Sequence, residues 1–86
     1  MANTTITGMD ELFGLAERVL MGDADEFFGT DETAVGRLGL IVLVETAGSI
    51  SGERHEDEAA AEAAFRQQRR RLTAAAGAGL TGAAGV

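Results

Sequence analysis

The stretch Leu38-Gly39-Leu40-Ile41-Val42-Leu43-Val44 decides the fold. It is apolar at every position but the glycine, so its periodicity does not separate a buried helix from a buried strand. The β-branched Ile41, Val42 and Val44, with Gly39, favour a strand. Length and a start signal favour a helix: Thr30 is a hydroxyl cap, and Asp31 and Glu32 follow at the positive end of the dipole. These signals predict a helix over 31–50 whose centre, 38–44, is apolar on every face and is therefore buried all round, in a protein core or against lipid.

Before this stretch, Met9, Leu12, Phe13, Ala16, Val19 and Leu20 recur at three- and four-residue steps. That spacing predicts a helix over 9–21. Thr7 and Asp10 form a capping-box pattern with Ile6 just ahead, and Gly22 is a natural stop. Between the two predicted helices, residues 22–30 read as a loop or single turn pinning Phe27 or Phe28 into the core.

After the stretch, Gly48-Ser-Ile-Ser-Gly52 reads as a break, and a third helix is predicted over 53–76. It is rich in alanine. Its acids (Glu53, Glu56, Asp57, Glu58, Glu62) precede its arginines (Arg66, Arg69, Arg70, Arg71), as the macrodipole prefers, and Glu62 and Arg66 are spaced to pair. Residues 77–86 form an alanine- and glycine-rich tail with little to bury, expected to lack order in isolation. The predicted fold class is all-α: two to three helices plus this tail. Its parts are 1–50 with the apolar segment, a charged arm over 51–76, and the tail.

Composition limits what such a chain does. At 86 residues it hides only roughly 60–65% of its unfolded surface. Without cysteine it has neither disulfides nor thiolate metal sites to compensate. Beyond residue 51 only Phe65, Leu72, Leu80 and Val86 are apolar and larger than alanine. The second half is therefore expected to lean on the first half or on a neighbour, and the chain is not expected to be an independent compact globule.

A net charge of −7 argues against binding a nucleic-acid backbone. All seven basic residues are arginine, which fits a GC-rich genome or a high-salt cytoplasm. Without lysine there is neither a P-loop nor a Schiff base. Residues 1–20 lack a basic start and carry Asp10, Glu11 and Glu17, so no signal peptide is predicted. No run reaches the ~18–20 apolar residues of a membrane span. The expected location is soluble or peripheral, in the cytoplasm or within a larger particle.

The motifs for chemistry are weak. Gly77-Ala-Gly79-Leu-Thr-Gly82 has the letters of a dinucleotide fingerprint, but it follows a predicted helix where the motif needs a strand. His55-Glu56 opens like a zincin helix, yet the second histidine position holds Ala59. His55, Glu58 and Glu62 on one helix face are better read as a solvated charged face than as a metal site. Ser51 near His55 has no evident oxyanion hole. No catalytic, cofactor or metal residues are therefore expected, and no small-molecule substrate.

What remains is packing. Gly48 and Gly52, with Ala59, Ala60, Ala63 and Ala64, let helices approach closely, or serve only as hinge and helix former. Glu45 is the single charge between Arg37 and Glu53, an edge position or a lock for a partner arginine. Arg66, Arg69, Arg70 and Arg71 complement the dipole, or pair with an acidic patch, nucleic acid or an anionic membrane.

The expected function is that of a small structural or accessory subunit of a larger assembly, such as a virion component, acting by helix packing. Leu38, Leu40, Ile41, Val42, Leu43, Val44, Phe27 and Phe28 would make the partner contacts, with Glu45 and the four arginines as electrostatic ones. Protein partners are favoured over membrane and over nucleic acid. The alternatives are a membrane-associated helical peptide inserting through 35–50, and an antitoxin-like regulatory binder using the arginine cluster.

Overall fold

The apolar run folds as strands, not as a helix. A computed structural model of the chain describes the backbone of residues 3–84 and the side chains of residues 3–74. In chain order the elements are β1 (Thr4–Thr5), α1 (Met9–Leu20), β2 (Glu26–Gly29), β3 (Thr33–Leu38), β4 (Ile41–Thr46), β5 (Ser49–Arg54) and α2 (Glu58–Ala84). The strands form one antiparallel sheet in the order β1-β5-β4-β3-β2. The predicted all-α class and the helix over 31–50 are thus overturned.

The physical reason lies in the turns. Leu38 pairs with Ile41, leaving Gly39 and Leu40 as a two-residue loop. Gly39 has φ +62° at the first loop position, the one that type II′ hairpin turns reserve for glycine. Gly48, at φ +87°, serves the next hairpin, where Thr46 pairs with Ser49. Thr30 does cap, but it caps a turn: its Oγ1 accepts from the Thr33 amide at 3.2 Å. A hydroxyl accepting from an amide three residues on serves a hairpin as well as a helix start.

One helix covers each face of the sheet. Ile6, Leu12 and Leu15 pack with Leu38 and Leu43 on the α1 side. Ala61 and Phe65 pack with Val35 and Val42 on the α2 side. Because both faces of β3 and β4 are covered, their inward positions fill both parities, and the alternation that marks a one-sided strand disappears.

The predicted helix over 9–21 appears as α1, although its N-cap is Gly8 without a side-chain bond rather than Thr7. The third predicted helix begins later than expected. Glu53 and Arg54 belong to β5, and the Asp57 carboxylate accepts from the Ala60 amide at 2.8 Å to start α2. The backbone of α2 continues through Ala84, so the predicted separate tail is helical that far; the question of what orders its side chains lies outside the described residues. The second half leans on the first through β3 and β4.

Gly52 shows how α1 gets close. A Cβ there would lie 2.8 Å from Leu43 Cδ2 and 3.1 Å from Leu12 Cδ2. Only a bare backbone leaves room for the helix. The predicted G-x-x-x-G helix contact is replaced by a turn glycine at 48 and a sheet glycine at 52.

Arg37 joins the layers on the other face. It is 5% exposed. Its Nε donates to Glu26 Oε2 at 2.7 Å, and its Nη1 to the Gly39 carbonyl at 2.9 Å and Glu58 Oε2 at 3.4 Å. Glu62 lies 3.8 Å away. The hydrogen bond to Glu26 is the largest influence raising the guanidinium pKa; burial opposes it, while the charges of Glu26 and Asp25 and the Glu58 bond add to it.

Candidate binding face

α1 carries two apolar stripes. Leu12, Leu15 and Val19 face the core. Met9, Phe13, Ala16 and Leu20 follow a four-three-four spacing, which places them together along the neighbouring flank of the helix. Met9 and Phe13 are about half exposed and Leu20 is 76% exposed. These residues read as a single buried face in the sequence, yet the sheet is reached by only part of the arc.

Beside the stripe the sheet is incompletely covered. Ala16, Val19, Ala34, Gly36, Leu43 and Ile50 surround a narrow cleft that has Glu45 at its edge. Two shallow hollows of about 310 Å³ and 380 Å³ adjoin it, one walled by Met9, Phe13 and Ile50, the other by Asp31 and Glu32. The cleft and the first hollow form a trough beside α1, the second hollow lies at the end of the β3–β4 pair, and the exposed Glu45 is common to all three. Phe27, 56% exposed, pairs with Gly36 in the register and so stands on this same side.

The rim is acidic. Asp10 and Glu17 lie three and four residues from Phe13 on the helix and are its lateral neighbours. Neither they nor Glu45, Asp31 and Glu32 has a cationic partner within salt-bridge distance among the described residues. Arg18 on α1 and Arg54 on β5 are engaged by Asp23 at 3.9 Å and Glu11 at 3.3 Å.

The residues predicted to meet a partner divide sharply. Leu38, Val42 and Leu43 are buried in the chain's own core, and Phe28, Ile41 and Val44 are partly buried against it. Phe27 and Leu40 remain exposed. Glu45 sits in the trough. Arg66 lies 3.7 Å from Glu62, while Arg69, Arg70 and Arg71 are exposed on α2 with no carboxylate partner among the described residues. Arg37, the most connected side chain, was missed as a site residue; an arginine inside an apolar strand was its signal.

The chemical motifs come apart. Glu58 and Glu62 turn to Arg37 rather than to His55, and no cluster of three metal-ligating side chains occurs among the described residues. His55 and Ser51 both line a hollow of about 200 Å³ between the sheet and α2. The His55 side chain is 11% exposed and its Nε2 has no hydrogen-bond partner, with Glu53 Oε1 3.9 Å away. No described helix is long and apolar enough to cross a membrane. Residues 35–50 are strands and turns, so the inserting helix has no counterpart, and nothing identifies a virion or an assembly.

Comparison with known proteins yields no protein family, no curated protein and no solved structure that matches the chain. The fold defines a three-layer arrangement, helix on sheet on helix.

Proposed function

We propose that the chain is a non-catalytic binding module that docks a partner helix along α1. The observation supporting this is the uncovered stripe Met9, Phe13, Ala16 and Leu20 beside a trough lined by Glu45. Apolar side chains at helix-seam spacing gain by removal from water at about 25 cal/mol per Å². The unpaired acids around them select the partner. It is a helix whose contact edge is apolar or small and carries guanidinium or ammonium groups, since opposed charges speed encounter and like charges reject wrong partners. This keeps the expectation of action by packing, but moves the contact from Leu38–Val44 to the side of α1.

The test is an amide-resolved NMR titration of the labelled protein with a synthetic helical peptide of leucine, alanine and arginine. Shifts concentrated at Met9, Phe13, Ala16, Glu45 and Ile50, and lost when glutamate replaces arginine in the peptide, support the reading. No shift up to about 1 mM peptide, equivalent to less than about 4 kcal/mol of binding, defeats it. So do shifts centred on the outward face of α2.

A further inference from the structure

We infer that the helix docking along α1 is α2 of a second copy of this chain. The inference rests on the docking reading above and adds the identity of the occupant. On the outward side of α2, Ala59, Ala63, Arg66, Arg70 and Thr73 repeat at alternating four- and three-residue steps, and all five are exposed. The inward side is separately occupied by Ala61, Phe65 and Leu72 on the sheet. α2 is therefore a two-sided helix, with its second seam unused within the chain.

The two unused seams are complementary in size along Ala59 and Ala63, and in charge farther along α2 at Arg69, Arg70 and Arg71. α1 offers large side chains, Met9, Phe13 and Leu20; α2 offers alanines, over which large side chains pack closely. α1 is flanked by Asp10, Glu17 and Glu45 without basic partners. α2 carries Arg69, Arg70 and Arg71 without acidic ones, each with an apolar stem to lie along Phe13 and a charged end to reach a carboxylate. Pairing α1 with α1 would instead bring Asp10, Glu17 and Glu45 against their own copies, so charge disfavours a contact of like with like.

The two seams lie on opposite faces of the sheet, because α1 and α2 do. A copy using its α2 thus leaves its own α1 free, and a copy using its α1 leaves α2 free. The contact is heterologous, so association continues from copy to copy unless the rotation closes a ring. Oppositely charged rims make it sensitive to salt, since the screening length falls from about 10 Å at 0.1 M to about 3 Å at 1 M.

Sedimentation equilibrium on the full chain tests this with two variants altered only at exposed positions. Met9→Glu with Phe13→Glu removes the two large exposed side chains beside the trough and leaves α2 intact, and the added acids repel the glutamates of the second variant. Ala63→Glu with Arg70→Glu closes the α2 seam and leaves the trough intact. The wild type is expected to grow in mass with concentration at low salt and to associate about tenfold or more weakly near 1 M salt. Each variant alone is expected to remain monomeric with an unchanged circular dichroism spectrum.

Mixed one to one, the variants are expected to form a heterodimer and nothing larger, because each supplies the seam the other lacks. A wild type that stays monomeric at low salt overturns the inference. So does a mixture that remains monomeric while the wild type associates, because a like-with-like contact fails to be restored this way. Should either variant lose its fold, Glu45→Gln and Arg70→Gln replace them, each expected to weaken association and neither to abolish it. If the synthetic peptide binds the trough while the wild type stays monomeric, the occupant is another protein's helix and the docking reading alone survives.

Discussion

Arg37 Nε stands 2.7 Å from Glu26 Oε2 across the β2–β3 pair, with its side chain 6% exposed and that of Glu26 29% exposed. The bond ties the edge strand to the sheet from the inside, and Glu58 and Glu62 extend the same grip to α2. Replacing Arg37 with methionine keeps most of the volume but strands these carboxylates. Glu58 is exposed enough to rehydrate, so the loss is set below the 3–5 kcal/mol of a fully buried broken pair, at about 2–3 kcal/mol. Urea denaturation measures it. Lysine at this position, a point charge without the planar fork, is expected to restore less than half.

The same residue predicts a pH range. The guanidinium pKa is raised in the folded state, so the stability it brings is complete below its ordinary value and is lost only as pH climbs through the raised one. Between neutrality and about pH 10, the stability difference between wild type and Arg37→Met is expected to stay constant. Paired denaturation curves across that range check this, and a difference that shrinks by pH 10 contradicts it.

Two glycines are expected to respond in opposite directions to alanine. At Gly52 the new methyl meets Leu43 and Leu12 inside 3.2 Å, and overpacking of this kind costs about 1–3 kcal/mol. At Gly14, within α1, nothing lies within 4 Å of the added methyl. Alanine there improves the helix and is expected to stabilise by about 0.5–1 kcal/mol. Thermal unfolding of both variants gives the signs directly.

Two phenylalanines separate stability from binding. Phe65 is 2% exposed and closes the α2-side core, so Phe65→Ala is expected to cost about 3–5 kcal/mol. Phe13 is 55% exposed, so Phe13→Ala is expected to change stability by no more than about 0.5 kcal/mol. The same substitution removes the largest side chain from the stripe along α1 and is expected to weaken peptide binding about tenfold, near 1.4 kcal/mol. Denaturation and the NMR titration report the two effects independently.

α1 was legible because its core residues and its stop at Gly22 are local signals. α2 was legible in its alanine and its acid-to-arginine gradient, although its first residue, Glu58, lies five residues beyond the expected start. The sheet was not legible. Leu38–Val44 reads alike whether a helix or a two-faced strand buries it, and the hydroxyl of Thr30 caps a turn as readily as a helix. Gly39 held the best local clue, since a single glycine between apolar runs suits a two-residue hairpin better than a helix interior.

The sequence by itself determined that the chain is acidic, free of cysteine and lysine, and short of large apolar residues in its second half. It also determined that the second half must lean on something else. Only the tertiary structure decided that Leu38, Val42 and Leu43 are buried inside the chain, and that Met9, Phe13 and Leu20 on the flank of α1 are left exposed. Local patterning specifies which residues are apolar. Which of those apolar residues meet water depends on how far each helix reaches across a sheet assembled from distant segments.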